Sequence, residues 1–519
     1  MASSRATSPG TAIKGTTSSG GEQDKPKKKK PLLPGPWTLP ISGSIHHVMR
    51  GLSHRTMREL SRRHGPLMLL RLGEVPTLVV SSAEAAELVM KTHDLTFCSR
   101  PMTSTATMAI VGCQGKGIAF APYGEHWRLM KKIVVVELLS AAQVKRFESI
   151  RAEEVRRVLR SVAAAAAAGV GVAGGVVNIS QEVKTLAPDL VARAMFGGKC
   201  AGKQVHDFVV QYNQVSKLPS GSLPVDLFPS SRLARWLSTV SERRLRKSCG
   251  CIQRIIMTIT ESRREAARNG GSSSSPNNED MLGVLLRLQE EDSLTYSPLT
   301  SEIIGAVMFD IFGGATTTIG STLEWAMAEL MRKPEAMEKA QEEVRNALCG
   351  SQGVITATDL LAPLSYLRMV IKEVLSLHPP NPLLVPRESR EDCEIMGHHI
   401  PKGTKVLVNV FAISQDPGYW NDDPEAFYPE RFENSSVDLK GTDFEFTPFG
   451  AGRRRCPAIM FAISTLEVAL ANLLYHFDWA LPNGMSPKMV DMSEKNGMGV
   501  SKKVDLYLRA IPYVHSSAV

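Results

Sequence analysis

Cys456 ends the run Pro448-Phe449-Gly450-Ala451-Gly452-Arg453-Arg454-Arg455-Cys456-Pro457, and an apolar stretch with helical spacing, Ile459 to Phe477, follows it. The glycines let such a loop fold tightly beneath a flat group. A cysteine at the mouth of a helix is well placed to be a thiolate, because backbone N–H groups and the positive helix terminus favour negative charge there. A free thiol titrates near ~8.5, but a bound metal deprotonates it outright. The neighbouring arginines suit an anionic partner such as a carboxylate. Taken alone, a cysteine after a basic turn is more often a buried core residue.

Further residues carry chemistry by their spacing. Ile303 to Leu330 is a long helical pattern interrupted by Gly313-Gly314 and followed by Thr316-Thr317-Thr318. Adjacent glycines permit a local bulge or kink, where a threonine hydroxyl could bond a freed carbonyl or hold water. Glycine pairs also simply allow close helix packing. Trp127 and Lys131 stand at i and i+4, on one face of a basic helix opened by Gly124.

The Cys456 loop resembles the haem-binding loop of the cytochrome P-450 family: Phe449, Gly452, Arg454 and Cys456 meet the pattern, and Ala458 replaces its usual glycine. Pro-Phe-Gly-Ala-Gly-Arg-Arg before the cysteine is the plant wording. The resemblance implies haem b with Cys456 on iron, pushing electron density to favour O–O cleavage, and Phe449 and Gly450 beside the cofactor. It implies that Trp127, Lys131, Arg387 and Arg454 hold the propionates, with lysine standing where the family has arginine and losing the bidentate fork. The family's small-Gly-x-acid-Thr-Thr groove maps onto Gly313, Gly314, Thr316, Thr317 and Thr318. Thr317 becomes the proton-delivery residue, and Thr316 takes the acid's place. Asp310 lies six residues before Thr316, about 120° around the helix, so it does not simply substitute. Glu373 matches the first residue of the Glu-x-x-Arg pair, but Ser376 replaces the arginine; Glu373 must then rely on Arg431 in Phe427-Tyr428-Pro429-Glu430-Arg431-Phe432. Pocket residues implied are Ile118 (with Met108 and Ile110), Phe309, Gly313, Leu383, Leu384 and Met498.

The resemblance runs in collinear order from about Lys30 to the C-terminus. It implies a mainly α-helical fold with a smaller β-rich lobe, covering residues 45–519. The implied reaction inserts one oxygen atom from O2 into a small apolar substrate, a plant specialised metabolite such as a terpenoid. Electrons would come from NADPH through the NADPH–cytochrome P-450 reductase. Two other readings stay open: a degenerate haem-binding protein without turnover, motivated by Ser376, Thr316 and Lys131, and a haem-thiolate isomerase or dehydratase.

The elements that must position these residues occupy an ordinary globular composition: 519 residues, 43% hydrophobic and 22% charged. Eight cysteines lack metal-ligand spacing or a paired framework, which suits a reducing compartment. A net charge of +9 can attract nucleic acid, an anionic membrane or an acidic protein; no nucleic-acid motif occurs, which leaves the last two. Residues 1–30 form a Ser/Thr-rich tail ending in Lys27-Lys28-Lys29-Lys30 and contain no apolar run of membrane-spanning length. Residues 31–44 read as a proline-rich hinge. The resemblance implies the cytosolic face of the endoplasmic reticulum membrane; plastid and cytosol are the alternatives. Leu67 to Leu72 and Thr77 to Val80 read as strands, and Ser81 with Glu84 as a capping box opening the next helix.

Overall fold

A computed structural model describes residues 33–102, 116–168, 175–197, 203–216, 223–269, 279–291, 299–349, 353–361, 364–420, 423–495 and 499–514. Met108, Ile110 and Met498 lie outside them. Helices of eight residues or more are α1 (Ser53–His64), α2 (Glu125–Lys132), α3 (Glu148–Ala168), α4 (Ile179–Phe196), α5 (Lys203–Ser216), α6 (Arg232–Arg268), α7 (Met281–Glu290), α8 (Ser301–Arg332), α9 (Pro334–Ala347), α10 (Ser365–Leu377) and α11 (Ile459–His476). Strands β1 (Leu67–Leu72), β2 (Val75–Val80), β3 (Arg387–Glu388) and β4 (Lys405–Val408) make the largest sheet among the described residues, in the order β1-β2-β4-β3. Its β2–β4 pairing is parallel and the others are antiparallel. The fold is thus mainly helical with a small β lobe.

Helix α8 is the axis of the large core. Its far half, Ile319 to Met331, is buried without interruption, and it packs on α4, α6, α10 and α11. Helices α8 and α11 are apolar and long enough to cross a membrane, but most of each lies inside the protein; their hydropathy reflects core packing. Two sequence expectations give way here. The Gly313-Gly314 pair does not break α8, which runs unbroken from Ser301 to Arg332, because packing along its length outweighs glycine's roughly 1 kcal/mol helix penalty. Gly313 instead gives room to Tyr212, whose hydroxyl a Cβ there would strike. The helix after β2 is capped by Ser82, whose Oγ accepts from Ala85 N–H at 3.2 Å, rather than by Ser81.

The proline-rich segment lies along β1. Leu69 N–H donates to Pro34 O at 2.8 Å, and Gly43 bridges Leu72.

Candidate functional site

The loop before α11 is held by its own backbone. Gly450 and Gly452 adopt φ of 67° and 68°, a region that favours glycine. Cys456 N–H donates to Phe449 O at 3.0 Å, closing the loop behind the sulfur. A Cβ on Gly452 would run into the Met90 carbonyl oxygen and the Asp94 carboxylate. Gly452→Ala therefore combines a strained φ, about 1–3 kcal/mol, with a backbone clash. The expected result is apoprotein or lost expression, read as haem per polypeptide; a variant with full haem content would contradict this reading of the loop.

Asp94 is the loop's anchor. It accepts from Arg453 N–H at 2.9 Å, the Arg453 guanidinium at 3.0 Å and the Arg387 guanidinium at 3.1 Å. Arg387 also donates to Ala451 O at 2.8 Å. Around this single carboxylate gathers an excess of buried positive charge. Arg454 donates to the carbonyls of Cys98, Ile118 and Ala121, and Arg100 to those of Ala119, Val385 and Pro386. Burial pushes Arg454 down to about 10, and burial with repulsion from Arg454 and Arg387 pushes Arg100 well below its usual range. Lys131 is pushed down to about 8, mainly by burial. Buried charge without counter-charge is costly. This donor set therefore fits an anionic group with carboxylates, and haem propionates are such a group.

Sequence reasoning gave Asp94 and Arg100 no role. Trp127 and Lys131, both implied at the propionates, each donate to a backbone carbonyl in this structure. The Trp127 indole N–H donates to Ile118 O at 2.9 Å, and its ring carries the Arg454 guanidinium at 4.3 Å. Trp127 thus supports Arg454 rather than presenting a donor. Lys131 Nζ donates to Arg455 O at 2.5 Å, against the cysteine loop.

Burial pushes the Cys456 thiol up, opposed by a backbone N–H at Ala458 and by Lys131 and Arg455. A thiol so placed stays protonated unless a metal takes the sulfur. Pro457 precedes α11 by two residues, and Ala458 is the N-cap.

The opposite wall is one face of α8. Phe309, Asp310, Gly313, Thr317 and Thr318 are half-buried and Gly314 is exposed, whereas Phe312, Ala315 and Thr316 are buried. A Cβ on Gly314 would meet nothing within 4 Å. A central core helix thus borders open space at one glycine. Thr316, expected in the groove, instead turns into the core; its hydroxyl is buried without a partner. Thr318 donates from Oγ1 to Gly314 O at 2.8 Å, so its hydroxyl is fixed at the opening. The Thr317 methyl faces Gly499, whose neighbour Val500 donates N–H to Pro380 O at 2.9 Å.

The remaining pocket candidates divide. Leu384, at φ 50°, packs over Gly450, 3.5 Å from where its Cβ would lie. Leu383 packs into the β-lobe cluster with Met57, Met68 and Leu407, and Leu384 also lies against the lobe's other cluster, that of Val80 and Val408. Phe309 stands 5.4 Å from the Tyr212 ring. Ile118 is half-buried at the groove's edge.

Behind the site, Glu373 faces Arg431 at 2.9 Å and accepts Tyr428 N–H at 2.8 Å. Arg431 also donates to Ala426 O at 2.6 Å. Ser376 is stitched reciprocally to Ser414, with Oγ-to-carbonyl bonds of 3.1 and 2.8 Å. Burial pushes Glu373 up to about 8 against the pull of Arg431.

These features coincide with what comparison finds. The profile of the family described as Cytochrome P450 matches residues 33–508. Zealexin A1 synthase of Zea mays is 46% identical over 490 residues, 94% of each chain. Ent-isokaurene C2/C3-hydroxylase of Oryza sativa is 46% identical over 95% of each chain, and 5-epiaristolochene 1,3-dihydroxylase of Nicotiana tabacum 43% over 94% of each. A solved zebra fish cytochrome P450 with progesterone superposes at a TM-score of 0.72 over 88% of this chain and 99% of that one; its 24% identity bears on the fold alone.

Proposed function

This chain belongs to the cytochrome P450 family and is a haem-iron, O2-dependent monooxygenase, and on that premise we propose that it oxygenates a terpenoid with electrons from NADPH through a reductase. The observation that carries the site assignment is the pairing of an excess of buried cations beside Cys456 with the open face of α8 at Gly314. Cys456 Sγ would hold the iron of a bound haem, which would supply the oxygen-activating centre, the thiolate favouring O–O cleavage. Arg100, Arg387, Arg454 and Lys131 would neutralise its propionates. Thr317 supplies the proton-delivery hydroxyl, beside Thr318, whose own hydroxyl proton is held by the Gly314 carbonyl. With no carboxylate at Thr316, the relay rests on Thr317 and water. Ile118, Phe309 and Leu384 keep the groove apolar and exclude bulk water. The relatives' names, among them a dolabradiene monooxygenase and a premnaspirodiene oxygenase, support a terpenoid substrate.

NADPH consumption with a plant reductase, scanned over sesquiterpene and diterpene hydrocarbons, tests this directly. Substrate-dependent consumption with one oxygen added per product is expected. Haem binding without turnover across the panel would favour a degenerate protein, and conversion without NADPH an isomerase.

A membrane surface, that of the endoplasmic reticulum, is the proposed location. Exposed apolar side chains support it: Trp37 and Ile41 on the N-terminal segment, and Leu233, Trp236, Leu237 and Val240 on one face of α6, with Trp236 70% exposed. Both groups hang from the β1–β2 turn, where Gly73 N–H donates to Ser42 O at 3.2 Å and Glu74 N–H to Leu227 O at 2.8 Å. Arg50, Arg232 and Arg235 are exposed beside them, and Lys27 to Lys30 precede the segment. Replacing Trp236 and Leu237 together by Ser is expected to lower flotation with phosphatidylserine-containing vesicles while leaving haem content unchanged. Unchanged flotation would remove this face from contact.

A further inference from the structure

The chain crosses the groove as a short strap, residues 116–121, before α2. Its carbonyls are fastened to the cation cluster: Ile118 O by Trp127 and Arg454, Ala119 O by Arg100, and Ala121 O by Arg454. Its N–H groups are fastened to the other wall. Asp310 Oδ2 on α8 accepts Ile118 N–H at 2.6 Å and Ala119 N–H at 2.9 Å. A Cβ on Gly117 would strike that same oxygen, so the strap approaches this closely only because residue 117 is glycine. The second link to α8, Lys116 to Glu302, is 4.0 Å long with both side chains about one-third exposed.

We propose that Asp310 is a positioning residue for substrate, whose carboxylate latches the strap and so fixes how far Ile118 reaches over the groove. The helix geometry puts latch and chemistry on one line. Asp310 and Thr317 are seven residues apart, about 20° from the same face and roughly 10 Å along the axis, with Gly314 between them. A side chain carried by the strap therefore overhangs the space beside Gly314 and Thr318. Asp310 has no cation partner among the ion pairs of the described residues. Burial pushes its carboxyl up to about 6, opposed by the two strap N–H groups. A buried acceptor held by two peptide N–H groups alone is a costly way to pack a helix, and its effect is to set a distance. The strap determines the width of the groove, and the acceptor at residue 310 determines the strap.

This inference rests on the haem-thiolate reading, so the experiment separates the two. Purified full-length protein loaded with haem is titrated with imidazole, a small iron ligand, and clotrimazole, a bulky one, following the absorbance shift. In Asp310→Ala the released strap should admit the bulky azole about tenfold more tightly relative to imidazole, roughly 1.4 kcal/mol. Asp310→Asn, which keeps an acceptor oxygen, should stay within about threefold of the parent ratio, as for a neutral hydrogen bond exchanged for a charged one. Gly117→Ala keeps the carboxylate but pushes the strap off it, and should match Asp310→Ala; it carries the test if that variant fails to retain haem. A clotrimazole-to-imidazole ratio that is unchanged in Asp310→Ala and Gly117→Ala, or that moves the other way, overturns the latch. Failure of the parent protein to bind either azole would instead refute the haem-thiolate reading.

Discussion

Cys456→Ser is expected to abolish monooxygenase turnover while leaving part of the haem in place. A serine hydroxyl does not ionise near neutrality and cannot push electron density onto iron. The loop itself should persist, because it is shaped by Gly450, Gly452 and the Cys456 N–H to Phe449 O bond, none of which involves the sulfur. Arg100, Arg387 and Arg454 would still attract the propionates. The loss of activity should therefore far exceed the loss of pigment. Haem per polypeptide and NADPH-dependent product formation, measured on the same preparation, give both numbers. Turnover that survives the substitution would show that the sulfur is not the ligand.

The second large effect centres on Glu373. Arg431→Ala leaves a fully buried carboxyl facing no cation; an unpaired buried charge costs about 3–5 kcal/mol, a cost that falls in full only above the Glu373 value of about 8, where the carboxylate is charged. Part of that is recovered if the carboxyl takes up a proton. The folded value of about 8 lies above the ordinary 4.5. The folded state therefore holds a proton that the unfolded state has released, and this group's contribution to stability falls as pH climbs from about 4.5 through 8. Ser376→Arg adds a second cation where the family's Glu-x-x-Arg arginine would stand. It sacrifices the Ser376–Ser414 bonds, each about 1 kcal/mol, but pulls Glu373 back down and flattens the decline. Thermal unfolding should show the gain at pH 8 exceeding that at pH 6, with better haem retention. No gain at pH 8 would mean that Ser376 and Ser414 already satisfy this site.

The cysteine loop was legible because it is local: spacing, glycines and the arginine run are all contiguous. The same is true of α8 and α11, whose apolar patterns are long. What was not legible depends on contacts distant in the chain. Asp94 and Arg453 are 359 residues apart, and nothing in a single sequence pairs them. A run of three arginines signals that a counter-charge exists but not where. Arg100 was visible only as a basic residue before a proline. Gly313-Gly314 was ambiguous because glycine both breaks helices and permits approach, and only Tyr212 against Gly313 decides for approach. The threonines were ambiguous for a related reason. Neighbours in a helix point about 100° apart, so a shift of two residues separates a core hydroxyl, Thr316, from one bonded at the opening, Thr318. Leu383 and Leu384 divide likewise between two clusters of the β lobe.

The most direct test is the carbon monoxide difference spectrum of the purified, dithionite-reduced protein. Thiolate ligation by Cys456 predicts the strongly red-shifted Soret band of a haem-thiolate carbonyl complex, lost in Cys456→Ser. A band at the shorter wavelength of a neutral proximal ligand in freshly prepared, fully folded protein, or no band at all from protein saturated with haem, would contradict the account.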